Sequence, residues 1–347
     1  MTDSELPPDL LLSEDRQGTG LGRAADLVCF LLRTSAEEGD ESLAVDPARV
    51  ARYGPRNTTS VGTAAGAYYT MLGNTALTDR DDRAARELRR PFLPFTTHDG
   101  EVNIADRVTR YNRDYLGRVV RYFASQGIRQ VLDIGCGLPA YGNVHEIVGE
   151  ALSEGERAAV VYVDYERIVV DRWRDHLEGH NRHPGLDVAV VHADMRQPDS
   201  VLTDPVTTRL LDFSQPVLLL MISLLQYIHP EDGCYELVEQ YTAPLAPGSV
   251  FALSHGTGDN LPDDMRAPFY ELKLAYEEYI AENFTLRVEP QVRRFFGTWP
   301  LVPPGLVRLQ DWRPGEPGYV PDTRDPARHI MYGGAAVKPE PGPNARS

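Results

Sequence analysis

Between residues 131 and 254, short apolar runs alternate with single amphipathic stretches, and this alternation constrains the fold more than any other feature of the chain. Strands are expected at 131–134, 160–163, 188–192, 217–222 and 250–254, with helices at about 144–152, at 168–178 and from about residue 231. Strands joined by single helices require right-handed crossovers and a parallel sheet covered on both faces. The spacing therefore predicts an α/β fold, a doubly wound and mostly parallel sheet.

Upstream, residues 1–20 are rich in Pro, Asp, Glu and Gly and read as a disordered tail. Apolar positions Leu21, Ala24, Ala25, Val28, Leu31 and Leu32 recur at helical spacing over 21–36. Residues 54–75 are turn-rich, and 79–93 resume a charge-alternating helix. Residues 21–106 are thus expected as a helical N-terminal cover over the site. From 107 to 127, Val108, Tyr111, Tyr115, Leu116, Val119, Val120 and Phe123 share one helical face, and Gly127 stands where a C-terminal cap belongs. The α/β domain is expected over 107–338. It includes a helix at 267–283 and late strands near 306–309 and 329–337, followed by a disordered tail at 339–347.

The chain has 35 basic and 51 acidic residues, a formal charge of −16. That balance argues against a duplex nucleic-acid binder, which needs clustered Lys and Arg to displace counterions. The most apolar run, 216–225 (PVLLLMISLL), is about half of the roughly 20 residues that span a bilayer, so no membrane partner is expected. The first residues are acidic where a signal peptide is basic. Three cysteines without a CxxC pair fit a reducing compartment and give no zinc framework, so a cytoplasmic location without a metal is expected.

The segment 131–147, VLDIGCGLPAYGNVHEI, runs from an apolar strand through a glycine turn into a helix. Gly135 and Gly137 permit close approach of a ligand to the backbone, and a nucleotide-like ligand is expected at the carboxyl end of this strand. Leu138, Pro139 and Ala140 follow Gly137, so the third glycine of a dinucleotide fingerprint is missing, as is the GK[ST] of a phosphate-binding loop. Asp133 instead precedes the turn, where a carboxylate suits a cationic amine. Asp164, at the end of the second strand, suits two ribose hydroxyls, and Tyr165 after it suits an adenine face. Asp194 and Met195, after the third strand, suit the exocyclic amine and a ring nitrogen. Each aspartate alone can equally cap the following helix.

The segments 133–146, 160–170, 191–198, 210–228, 245–255, 304–314 and 332–338 together resemble class I S-adenosylmethionine-dependent methyltransferases. They resemble more closely a bacterial S-adenosyl methyltransferase family, formerly a domain of unknown function, with a DIGxGLPxxxNVHE segment. The resemblance implies a Rossmann-like fold and S-adenosyl-L-methionine as cofactor. Asp133, Gly135 and Gly137 would line its methionine end, Asp164 its ribose, and Asp194 and Met195 its adenine. Asn143, His145 and Glu146 match the NVHE segment; for His145, cofactor contact and helix-start packing stand equally. Tyr69, Leu72 and Gly73 match part of the family's N-terminal motif, while Asn74, Thr75 and Ala76 depart from it. Asn112 and Arg113 match an Asn-Arg helix.

Methyl transfer is an in-line displacement that needs positioning and exclusion of water, with a base only for weakly acidic acceptors. His255, directly after the fifth strand, is the candidate base; its alternative is a structural histidine bonded to a loop carbonyl. Ser223, Gln226 and Tyr227 follow the fourth strand, the place where class I methyltransferases usually meet cofactor and acceptor, and they can equally be ordinary helix-start residues; the resemblance assigns Ser223 to the cofactor and Tyr227 to catalysis. His176, His180 and His183 read as a solvated helix end, and Cys136 as a packing residue. The expected function is methyl transfer to an oxygen or nitrogen of a small-molecule substrate, one of secondary metabolism. The alternatives are a cofactor-binding protein without methyl transfer and a nicotinamide-dependent oxidoreductase.

Overall fold

The computed structural model describes residues 61–93, 95, 102–179, 183–280, 284–315, 320 and 322–340. The helix expected at 21–36, the tail at 1–20 and most of that at 339–347 lie outside them. Seven strands form one sheet in the order β3-β2-β1-β4-β5-β7-β6. Strands β1 (Gln130–Ile134), β2 (Ala158–Asp164), β3 (Leu186–His192), β4 (Leu218–Ile222) and β5 (Val250–Gly256) pair in parallel. The late strands β6 (Val307–Arg308) and β7 (Met331–Val337) pair antiparallel, with β7 against β5. The sheet is the doubly wound, mostly parallel one that the alternation predicts, with an antiparallel strand pair at one edge.

Successive strand residues face opposite sides of the sheet, and each side has its own core. Val131, Val160, Tyr162, Leu220 and Ala252 face the first core, under α3 (Ile104–Ser125), α4 (Val144–Glu150) and α5 (Arg167–Gly179). Leu132, Val161, Leu219, Phe251 and Leu253 face the second, which includes Tyr241 of α8 (Cys234–Thr242). Helix α3 is the long one the periodicity predicted; Asn103 caps its start, and Gly127, at φ +90°, follows its end.

Preceding α3 are α1 (Ala64–Met71) and α2 (Asp79–Arg89). Helix α1 lies where turn-rich chain was expected. Thr63 caps it by accepting the Gly66 amide at 2.9 Å, and Gly66 packs so closely on Asp81 of α2 that a Cβ there would lie 2.2 Å from Oδ1. The helix expected at 267–283 is α9 (Asp263–Tyr279), which starts four residues earlier on Asp263 and Asp264, charges that suit a helix N-terminus. The short helices at Pro198–Leu202, Pro205–Leu210 and Glu289–Arg294 have no counterpart in the sequence expectations, since they span two turns or fewer. Among the described residues, no helix is long and apolar enough to cross a membrane.

Candidate functional site

The glycine turn after β1 is fixed from three sides. The amides of Gly135 and Cys136 donate to Val163 O of β2 at 2.8 and 3.1 Å. Gly135 has φ +68° and a Cβ on it would lie 2.5 Å from Leu224 Cδ1, so both backbone and space demand glycine. Gly137 also has positive φ, at +62°, but faces open space, which leaves the turn accessible to a ligand. Its carbonyl accepts the Trp173 indole N–H at 2.7 Å, and its amide donates to Asp164 Oδ2 at 3.1 Å. Asp164 Oδ1 accepts the Glu166 amide, so this carboxylate is oriented before any ligand arrives. Burial pushes the Cys136 thiol well up, with Asp164 and Asp133 adding to the effect, which makes it a packing group and not a nucleophile.

Asp133 is buried and accepts no hydrogen bond among the described residues. Burial above all, opposed by Arg113 and helped by the Asp164 charge, raises its carboxyl to about 7. Arg113, buried on α3, donates from Nε to Tyr141 O and from Nη2 to Asn143 Oδ1, at 2.8 and 2.9 Å. Its Nη1 makes no hydrogen bond among the described residues. Asn143 is thus committed to holding Arg113 and to the capping box with Glu146 that starts α4. A buried acid that accepts no hydrogen bond, and a cation with an unfilled donor whose charge reaches it, fit the ammonium and carboxylate of an amino-acid tail.

At the far end Tyr165 is exposed, with the Arg196 guanidinium 5.8 Å from its ring centre. Asp194, expected to be open to a ligand amine, instead receives Arg196 on both oxygens, with Nη2 at 2.6 Å from Oδ2. Against the burial that would raise it, these bonds hold its carboxyl below the usual range. Met195 is buried and its carbonyl accepts the Tyr241 hydroxyl at 2.8 Å.

A cavity of about 540 Å³, counting its open mouth, adjoins the ends of β4 and β5. Met71, Phe92, Phe269, Leu272, Tyr276 and Phe284 form apolar walls, and Asn112, Ser223 and Gln226 bring polar groups to it. Ser223 takes φ +54°, a conformation that L-residues rarely hold without a local reason. Tyr227 lies one layer back, its ring 6.4 Å from Tyr276 and 6.2 Å from Phe284.

His255 does not join this site. Counting along β5, Ser254 shares the face of Val250 and Ala252, whereas His255 shares that of Phe251 and Leu253, the second core. The ring is fully buried. Its Nδ1 donates to Gly256 O at 2.7 Å and its Nε2 accepts from Arg287 Nη1 at 2.9 Å. Burial and the Arg287 charge push it down to about 3. With both nitrogens engaged and the ring held neutral, the expected base is the structural histidine, bonded to a carbonyl.

His145 also turns inward: its backbone N–H and Nδ1 both meet the Tyr162 hydroxyl at 2.9 Å. Ligating atoms of His145, Glu146 and His176 lie within 4.8 Å of one another, but both Glu146 oxygens cap Asn143. His180 lies outside the described residues. The residues that sequence reasoning underweighted are Arg113 and Asn112, read there only through a resemblance, and Tyr68 and Trp173, for which no sequence signal stood out.

The sequence matches the S-adenosyl methyltransferase family over residues 56–339. It is 29% identical to a DUF574 family protein from Streptomyces avermitilis, covering 81% of this chain and 99% of that one, with a TM-score of 0.70. It is 30% identical to a candidate methyltransferase from Thermobifida fusca, covering 82% and 97%, with a TM-score of 0.69. No curated protein sequence matches this chain significantly. The open glycine turn, the buried carboxylate facing it and these likenesses lead to one assignment: the chain belongs to the S-adenosyl methyltransferase family and is a methyltransferase that uses S-adenosyl-L-methionine.

Proposed function

We propose that the protein transfers a methyl group to an oxygen or nitrogen of a small-molecule acceptor held in the cavity at the ends of β4 and β5. The observation that carries this reading is the cavity itself. Its walls are mainly aromatic and aliphatic with a few convergent polar groups, the make-up usual for a small-molecule site.

S-adenosylmethionine supplies a sulfonium methyl, an electrophile that needs no redox partner or metal. The residues of this chain would then bind, orient and exclude water. Asp133 would pair with the ammonium of the amino-acid tail and Arg113, held by Asn143, with its carboxylate. Gly135 and Gly137 would admit the ligand to the turn. Asp164 would accept both ribose hydroxyls, and Tyr165, Asp194 and Met195 would border the adenine. Ser223 would stand between cofactor and acceptor. Helices α1 and α9 contribute walls to the cavity and would help keep solvent from the acceptor.

The test is a thermal shift with S-adenosylhomocysteine and NADH in parallel, followed by methyl transfer from labelled S-adenosylmethionine to a metabolite extract. Stabilisation by the first ligand alone, with a labelled small product, is the expected result. Tight binding with no labelled product across a broad extract would favour a binding protein that does not methylate.

A further inference from the structure

Hydrogen-bond directions fix which protons face the cavity. The Tyr68 hydroxyl donates to Thr109 O at 3.1 Å, so it must accept from Asn112 Nδ2, at 3.0 Å. Asn112 therefore turns Oδ1 toward Ser254, whose hydroxyl donates to it at 2.5 Å while accepting the Ser223 amide at 2.9 Å. At the other end the Gly256 amide donates to Gln226 Oε1 at 3.1 Å, which leaves Gln226 Nε2 to donate to Ser223 Oγ at 2.8 Å. Because Thr109 O only accepts and the Gly256 N–H only donates, no amide in the chain can be flipped without leaving an unmatched pair.

What is left over is mostly donor. Ser223 Oγ already accepts, so its own proton is unspent, and Asn112 Nδ2 and Gln226 Nε2 each retain a second N–H. Among the described residues lining the cavity none carries a formal charge, and burial pushes the Tyr68 and Tyr276 hydroxyls up to about 12, so neither supplies a base.

We infer that the acceptor is a planar aromatic phenol or enol, seated between the apolar walls, whose oxygen is held as the anion by Ser223, Asn112 and Gln226. This rests on the function proposed above and names its substrate class. An ammonium would meet three N–H or O–H donors against only the spare lone pairs of hydroxyls, whereas an oxyanion can take all three donors. The hydroxyl proton goes to bulk water on entry. An oxygen lone pair then forms the O–CH3 bond as the S–CH3 bond breaks, the breaking pair staying on sulfur, so that a methyl ether and a neutral thioether result.

The test uses the full chain saturated with S-adenosylhomocysteine and 7-hydroxycoumarin as the probe, whose ionised form absorbs at longer wavelength. Saturable binding is expected, with the bound anion titrating at a measurable midpoint. Ser223→Ala and, separately, Gln226→Met should each raise that midpoint by about one pH unit, a tenfold change in the ionisation constant per donor lost. No saturable binding, or a midpoint that neither substitution moves, overturns the acceptor class. If the wild type is nonetheless stabilised by S-adenosylhomocysteine, the methyltransferase reading stands; loss of that stabilisation would overturn the reading itself.

Discussion

The carboxylate of Asp164 accepts the amide of Gly137 at 3.1 Å, tying the end of β2 to the glycine turn that follows β1. One side chain thereby orders the turn and stands where ribose hydroxyls are expected. Asp164→Ala removes both contributions, and the thermal shift given by S-adenosylhomocysteine should vanish. A shift of wild-type size in the variant would remove Asp164 from the site.

Asp133 makes cofactor affinity depend on pH. Its carboxyl is raised to about 7 and is neutral below that value, so an arriving ammonium must displace a proton. Affinity for S-adenosylhomocysteine should climb by up to about tenfold per pH unit below the midpoint and level off above it. Calorimetry in buffers of different ionisation heat reads the proton released. The unliganded protein should show the opposite trend: a raised carboxyl pKa contributes stability below the ordinary carboxylate range that is lost as pH rises through about 7. Asp133→Asn should flatten both dependences while weakening binding. A pH-independent wild-type affinity would count against the ammonium assignment.

His255→Ala should act on stability. The ring joins β5 to the buried Arg287, and leaving those partners unmatched should cost about 2–4 kcal/mol in urea unfolding, with turnover per folded molecule retained. Since its pKa is lowered to about 3, the ring's contribution is complete above the ordinary imidazole value and is lost as pH falls toward 3. A loss of turnover of about a hundredfold or more at unchanged stability would restore it as a base.

Trp173 separates packing from hydrogen bonding. Its ring stacks on Tyr162 at 3.9 Å while its N–H holds the Gly137 carbonyl. Trp173→Phe keeps much of the stack and deletes the bond, so a loss of about 1–2 kcal/mol and several-fold weaker S-adenosylhomocysteine binding are expected, measured by unfolding and by titration. Unchanged affinity would mean the turn holds itself.

The parallel strands were legible because each is an apolar run with a helical pattern after it. The edge proposed to hold the cofactor was legible because Asp133 and Asp164 stand at strand ends. The side of the sheet was also written in the sequence, in the alternation through Phe251, Leu253 and His255, and attending only to the strand's end hid it. Helix α1 was not legible: its sequence, AAGAYYTM, has no clear apolar stripe, and it is held by the Thr63 cap and the fit of Gly66 on Asp81. Nor was the acceptor site, since the Ser254 to Asn112 bond joins residues 142 apart.

The cavity proposed to hold the acceptor takes much of its wall from α1, from α9 and from the start of β7, none of which belongs to the β1–β3 edge that holds the glycine turn and Asp164. On the proposed function, substitutions at Met71, Leu272 or Met331 should reshape what is methylated while leaving the residues proposed to seat the methyl donor untouched. Directed evolution of new acceptors has a natural target set in these positions, and divergence of specificity among proteins of this architecture is expected to concentrate there.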